Sequence, residues 1–407
     1  MPDRAPPRAL STFELVAMVA ALSALNALAI DVMLPALPDI GADFGLARDN
    51  DRQLVILVYV SLFGVAQLVY GPLADAYGRK SVLLWSLGFF IAGSILCVVA
   101  PSFELFLAAR ALQGVGASAT RVIATAVVRD LTSGARMAQV MSMAMTVFMI
   151  VPIVAPGIGQ LILFVAPWRW IFGALLIYAL IILAWSLTRL PETLTPENTT
   201  PLRPRAIVQS YAAVLRDRQT IGYMIATVFM TACLFAYISS AEQIFVDVFR
   251  LGEAFPLAFA AVAVGFSIGT FINSRLVMRV GMRRMSHATI FWFTAVAIVH
   301  VIVLAAGVLN FWVYLPLLIL TLAPFGMATG NFNALAMEPV GRIAGAASAL
   351  FGCVTATGGA ILGGLIARAF DGSPLPFAIG LVLMGAATIG AIMWVERGKL
   401  FGSGPAG

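Results

Sequence analysis

The sequence predicts an all-α integral membrane protein with twelve transmembrane helices, built as two pseudo-symmetric six-helix bundles. Three observations carry that expectation: composition, the number of long apolar runs, and one polar interruption near the middle of the chain. The 407 residues are 61% hydrophobic and 11% charged, with a mean hydropathy of +0.98. Soluble domains are roughly 25% charged, so the polar residues here are too few to cover a water-facing surface. Cys97, Cys233 and Cys353 all fall inside apolar runs and show no ligand spacing, so they read as small buried residues rather than a disulfide framework or a metal site.

At about 20 apolar residues per crossing, the spans fall at roughly 12–37, 53–74, 81–100, 104–128, 138–165, 169–189, 220–245, 255–276, 286–307, 311–335, 345–367 and 374–395. Threading them from a cytoplasmic N-terminus puts eighteen Arg and Lys side chains on one face, Arg4, Arg8, Arg79, Lys80 and Arg342 among them. Only Arg48, Arg52, Arg169, Arg250 and Arg368 fall opposite, which places both termini in the cytoplasm. The first apolar run is too long for a cleavable signal and leads straight into a second span.

The longest polar connection covers residues 190–219 and ends in a short amphipathic stretch. It divides the chain into an N-terminal six-helix bundle (1–189), a cytoplasmic linker (190–219) and a C-terminal six-helix bundle with a short cytoplasmic tail (220–407). A repeat supports the division. "IDVMLPALPDIGADFGLA" (30–47) aligns without gaps on "AEQIFVDVFRLGEAFPLA" (241–258), setting Asp31 beside Glu242. "LADAYGRK" (73–80) aligns on "LVMRVGMR" (276–283), pairing Gly78 with Gly281 and leaving Met278 opposite Asp75.

Several motifs then go beyond architecture. "GPLADAYGRKSVL" (71–83) after the second span resembles a motif of the major facilitator superfamily. "RALQGVGASA" (110–119) and "PIVAPGIGQLI" (152–162) resemble the arginine and antiporter motifs of its proton-coupled drug exporters, with Ala155 and Gln160 where the second motif has glycine. With "DVMLPALPDI", "WRWIF" and "FAYISSAEQIF", the chain looks most like the twelve-span bicyclomycin/chloramphenicol-resistance (Bcr/CflA) subfamily of drug/proton antiporters.

In the loop after span 2, Gly71 is expected to admit a close neighbour and Gly78 a left-handed turn, while Arg79 and Lys80 hold the inner leaflet. Asp75 sits unfavourably on the end of its own helix but suits the N-terminus of another. The resemblance makes that partner span 11, when the cytoplasmic side is shut. Arg129, Asp130 and Glu192 surround it as a breakable ion-pair latch. In span 5, Pro152, Pro156, Gly157 and Gly159 permit a bend and close packing between the halves.

A carboxylate inside a span costs about 2.5–3.5 kcal/mol and is a functional candidate by default. Asp31 and Arg110 lie about 6 and 10 Å to the same side of mid-membrane, level enough to interact, so Asp31 is the leading proton carrier and Arg110 its regulator. Glu242 is a further coupling candidate, although span 7 ends soon after it and leaves it wet. Arg121 shares the face of Arg110 and points into the same cavity. Tyr59, Gln113, Met145, Met149, Phe235, Tyr237, Asn331 and Asn333 complete the expected lining for an amphiphile.

The resulting expectation is a secondary active transporter in the inner membrane of a bacterium. It exchanges protons for small amphiphilic or lipophilic drugs, phenicol-like or other antibiotics, by alternating access. The alternative is proton-coupled import or export of a metabolite such as a sugar or amino acid. Its partners are the substrate, protons and the bilayer, with no nucleic acid; it acts as a monomer, and the proton gradient replaces any cofactor. No catalytic motif or phosphate-binding loop is present in the sequence, so it is not read as an enzyme.

Overall fold

A computed structural model describes residues 10–195, 199 and 201–402; Arg4, Arg8 and the Arg342 side chain lie outside that description. Among the described residues fourteen α-helices follow in order. The first half contains α1 (Thr12–Asp31), the short α2 (Leu37–Asp43), α3 (Leu54–Tyr77), α4 (Arg79–Val99), α5 (Phe103–Leu131), α6 (Gly134–Val165) and α7 (Arg169–Arg189). After the short α8 (Pro204–Val214) come α9 (Arg218–Glu242), α10 (Phe255–Val280), α11 (Met282–Ala305), α12 (Phe311–Met337), α13 (Ala344–Arg368) and α14 (Leu375–Val395). Among the described residues, twelve helical segments are long and apolar enough to cross a membrane.

Local chemistry sets the ends. Ser11, Ser102 and Asp217 each accept a backbone N–H of the first turn of α1, α5 and α9, satisfying donors the helix leaves free. The first span is not the single rod expected over 12–37. Pro35 and Pro38 lack an N–H, so α1 stops at Asp31 and the chain continues as a 3₁₀ turn, Leu34–Ala36, and α2. Its aligned counterpart behaves likewise: α9 stops at Glu242 and widens into a π turn, Gln243–Val248. The two carboxylates matched by the repeat therefore both end their helices. Gly78 and Gly281, also matched, adopt nearly the same positive-φ conformation, φ 95° and 88° with ψ 147° and 145°, more extended than the left-handed turn expected.

Within the first half α5 is central, because Gly114 and Gly116 let it touch the backbones of α3 and α4. Across the halves, α3 packs on α13 and α6 on α10. The α3–α13 register is readable from its small residues: Leu57 meets Gly364, Gly64 the Thr357 backbone, and Gln67 Gly352. Gly64, not Gly71, is the close-approach glycine of this helix; a side chain at Gly71 would meet nothing within 4 Å. The amphipathic α8 touches both halves, with the Tyr211 hydroxyl donating to the Leu68 carbonyl at 2.8 Å.

Candidate functional site

Arg110 is fully buried and spends its guanidinium on neutral acceptors. It donates to Gln113 Oε1 at 2.7 Å, to the Ala29 carbonyl at 3.1 Å and to the Val55 carbonyl at 3.3 Å, tying α5 to α1 and α3. Its charge lies 4.3 Å from the Tyr59 ring centroid, a cation–π contact. Gln113 in turn donates to Ser94 at 2.8 Å, and Tyr59 donates to Asn26 Oδ1 at 3.1 Å. Tyr59 and Gln113 are thus buried parts of a first-half hub, not the cavity lining the sequence suggested.

Asp31 stands apart from that hub. It is 4% exposed and makes no hydrogen bond or ion pair with a described residue, so Arg110 is not the direct ionic partner expected from depth alone. The reason is competition: Ala29, two residues earlier in the same helix, presents the carbonyl that Arg110 takes. Asp31 instead lies within electrostatic range of Tyr59 and of Tyr237 in the second half. Tyr237 is buried against Phe259, with ring centroids 5.2 Å apart, and likewise does not line an open cavity.

Glu242 is not wet. It is wholly buried, and Arg52 Nη2 sits 3.0 Å from its Oε2 while donating to Asp247 Oδ2 at 2.8 Å. The π turn carries Asp247 around to the same cation. Beside it, Asn50 donates to the carbonyls of Arg368 and Phe370 at 3.0 Å each, filling acceptors that the end of α13 leaves free, and accepts from Gln243 at 2.7 Å. Arg368 pairs with Asp51 at 2.8 Å. A polar cavity of about 430 Å³, lined by Arg48, Asp49, Gln243 and Gly372 among others, caps this closure.

The opposite end, which carries Thr12 and Val395, is arranged differently. Asp75 accepts from Arg79, which also reaches Asp130 at 3.2 Å. The largely exposed Arg129 approaches Asp130 at 3.9 Å. Glu192 accepts the backbone N–H groups of Arg79 at 2.8 Å and Lys80 at 3.1 Å, so it caps α4 instead of acting as a free counter-charge. Lys80 donates to the Leu187 carbonyl at 2.8 Å. None of these contacts reaches the second half. Arg283 pairs with Glu396 at 3.4 Å within the second. Among the described residues, the ion pairs that join the halves, Arg52–Glu242, Arg52–Asp247 and Arg368–Asp51, all lie at the far end.

The remaining candidates divide. Met145 and Arg121 are exposed, and Met149 and Phe235 are half-buried. Asn331 is committed to Asn273 at 2.9 Å, while Asn333 is exposed about 200° around the helix, so they do not line one wall together. Pro152 and Pro156 lie within an unbroken α6. Gly159 meets the Val32 carbonyl of its own half, not the other half, and Gly157 faces open space.

Sequence reasoning missed Asn50, Arg52 and Asp247. "DNDRQ" (49–53) offered a signal, since it crowds charge against the start of a span, but only the broken helix ends show what it meets.

Comparison with known proteins agrees with this geometry. The Major Facilitator Superfamily model matches residues 19–364. The uncharacterized MFS-type transporter YdgK of Bacillus subtilis is 31% identical over 94% of this chain and 91% of its own. A bicyclomycin resistance protein homolog of Haemophilus influenzae is 29% identical, covering 91% and 93%. Multidrug resistance protein MdtL of Escherichia coli is 28% identical, covering 84% and 85%. Among solved structures, a partially occluded inward-open form of the xylose transporter XylE from E. coli superposes with a TM-score of 0.71 at 12% identity, over 94% of this chain and 98% of that one.

Proposed function

The chain belongs to the major facilitator superfamily, a family of membrane transporters and not of enzymes, and from that premise we propose that it is a proton-coupled antiporter exporting small amphiphilic drugs by alternating access. The observation that carries the reading is the asymmetry of its ion pairs: every described pair between halves lies at one end, and the other end holds only pairs within a half. A carrier caught with one gate shut has that pattern. The positive-inside bias makes the closed end external and the termini cytoplasmic, so the state is inward-facing. The relatives' names, bicyclomycin and multidrug resistance, favour drugs as the substrate class.

In this reading Asp31 and Glu242 are the proton-carrying groups, both ending helices at the junction of the halves. Arg110 fixes the α1–α3–α5 frame around Asp31 instead of pairing with it. Asp75 serves the other state: continuing the register of Leu57 with Gly364 and Gly64 with Thr357 brings it level with the first turn of α13. The N-terminal dipole there attracts a carboxylate. The protein acts as a monomer in a bacterial inner membrane and draws on the proton gradient without a cofactor. Everted vesicles with an imposed acid interior test the reading. They are expected to accumulate a phenicol-type drug until an uncoupler is added, and accumulation that ignores the uncoupler would refute proton drive.

A further inference from the structure

We propose that Arg121 anchors an anionic group on the substrate, so that the preferred cargo is an amphiphilic organic anion and not a cation. The proposal rests on the transporter reading and specifies its substrate class. Arg121 lies ten residues from the end of α5, about 15 Å along the helix, and about 20° around it from Arg110. Arg110 on that face reaches toward α1 and α3, so Arg121 is turned toward the interior of the half and not outward to lipid. Yet Arg121 is exposed. Its exposure is therefore to the space that opens at the end carrying the termini.

No described side chain satisfies it: its guanidinium makes no hydrogen bond and no ion pair, and only its backbone carbonyl is used, by Thr125 at 3.2 Å. The described carboxylates toward that end are already engaged. Glu14 holds Arg189 through both oxygens at 2.6 and 2.7 Å, and Asp75 and Asp130 share Arg79. Glu192 caps α4, Asp217 caps α9, Glu396 takes Tyr223 and Arg283, and the half-exposed Glu338 accepts from Gln219 at 2.9 Å and lies 3.9 Å from Arg283. Asp31, inside the span, is nearly inaccessible. A charge at such depth is costly, and one left without an internal partner marks a binding position. A planar fork of donors suits a carboxylate, sulfonate or phenolate, while a cationic drug meets repulsion from Arg121 and only carboxylates that already hold a partner.

The test is equilibrium binding by calorimetry to the purified full-length protein in detergent, using three probes of one shape: 1-naphthoate, 1-naphthamide and 1-naphthylmethylammonium. Wild type is expected to bind the anion at least about tenfold more tightly than either other probe, as a charged hydrogen-bonding partner warrants. Arg121→Gln should erase the preference and Arg121→Lys should keep part of it; Arg121→Met is a second neutral variant should the first fold poorly. Equal affinities in wild type, preference for the cation, no binding of naphthoate at millimolar concentration, or a preference surviving in the neutral variants would each overturn the proposal. Binding needs no gradient, so failure of proton coupling leaves this result standing. Drug transport without anion preference defeats this inference alone.

Discussion

Arg52 and Glu242 form an ion pair at 3.0 Å, buried between the first and second halves of the molecule, with Asp247 on the same guanidinium at 2.8 Å. Asp49 adds a second negative charge near Glu242. Arg52 is the cation facing the carboxylate, so protonating Glu242 removes an attraction across the closure while Asp247 still holds Arg52. Acid at the far side should therefore loosen the gate and alkali tighten it. Glu242→Gln should mimic acid and weaken the closed state, by less than the about 3–5 kcal/mol of breaking a buried pair outright, because Asp247 still compensates Arg52. Cysteine at Ala47 should then label faster in the variant, at neutral pH, than in the parent.

Asp31 offers a separate test of coupling. Asp31→Asn keeps the shape of a side chain that makes no described hydrogen bond or ion pair, so folding should survive with little loss. Transport driven by a pH gradient should disappear while exchange of labelled for unlabelled substrate persists. A variant with normal proton-driven export would remove Asp31 from the coupling step.

Arg110→Lys is expected to be far from conservative. A lysine cannot serve the Ala29 and Val55 carbonyls and Gln113 at once from a planar fork, and loses the stacking on Tyr59. Detergent melting temperature should fall for Lys and further for Ala. Unchanged melting with impaired coupling would instead restore a direct partnership with Asp31.

Gly78 and Gly281 form a natural control pair. Their backbone angles nearly coincide, but a methyl group on Gly78 would collide with the Glu192 carboxylate, whereas on Gly281 it meets nothing within 4 Å. Both alanine variants carry the strain of a positive-φ region that essentially only glycine occupies, about 1–3 kcal/mol. Gly78→Ala should cost more, because Glu192 must leave its capping position. Equal losses of thermal stability in the two would show that Glu192 contributes nothing there.

The twelve spans were legible because hydrophobic length is a local property, and the Asp31–Glu242 and Gly78–Gly281 matches because repeats preserve backbone geometry. The partners were not. Depth along a helix placed Arg110 level with Asp31, but hydrogen bonding is decided by azimuth, and Ala29 offered the nearer acceptor. Glu242 looked wet because a π turn cannot be read from apolar periodicity, and that turn brings Asp247 to Arg52. Glu192 looked like a latch residue on charge alone; only folding reveals the free N–H groups of α4 it serves.

The central claim is that closure at the Arg52–Glu242 end alternates with closure at the Asp75 end. Paired spin labels at Ala47 and Glu253, and separately at Tyr77 and Ser348, measure both ends in one preparation by dipolar spectroscopy. Acidification, or Glu242→Gln at neutral pH, is predicted to lengthen the first distance and shorten the second. Two distances that stay fixed, or that lengthen together, would contradict alternating access through this gate.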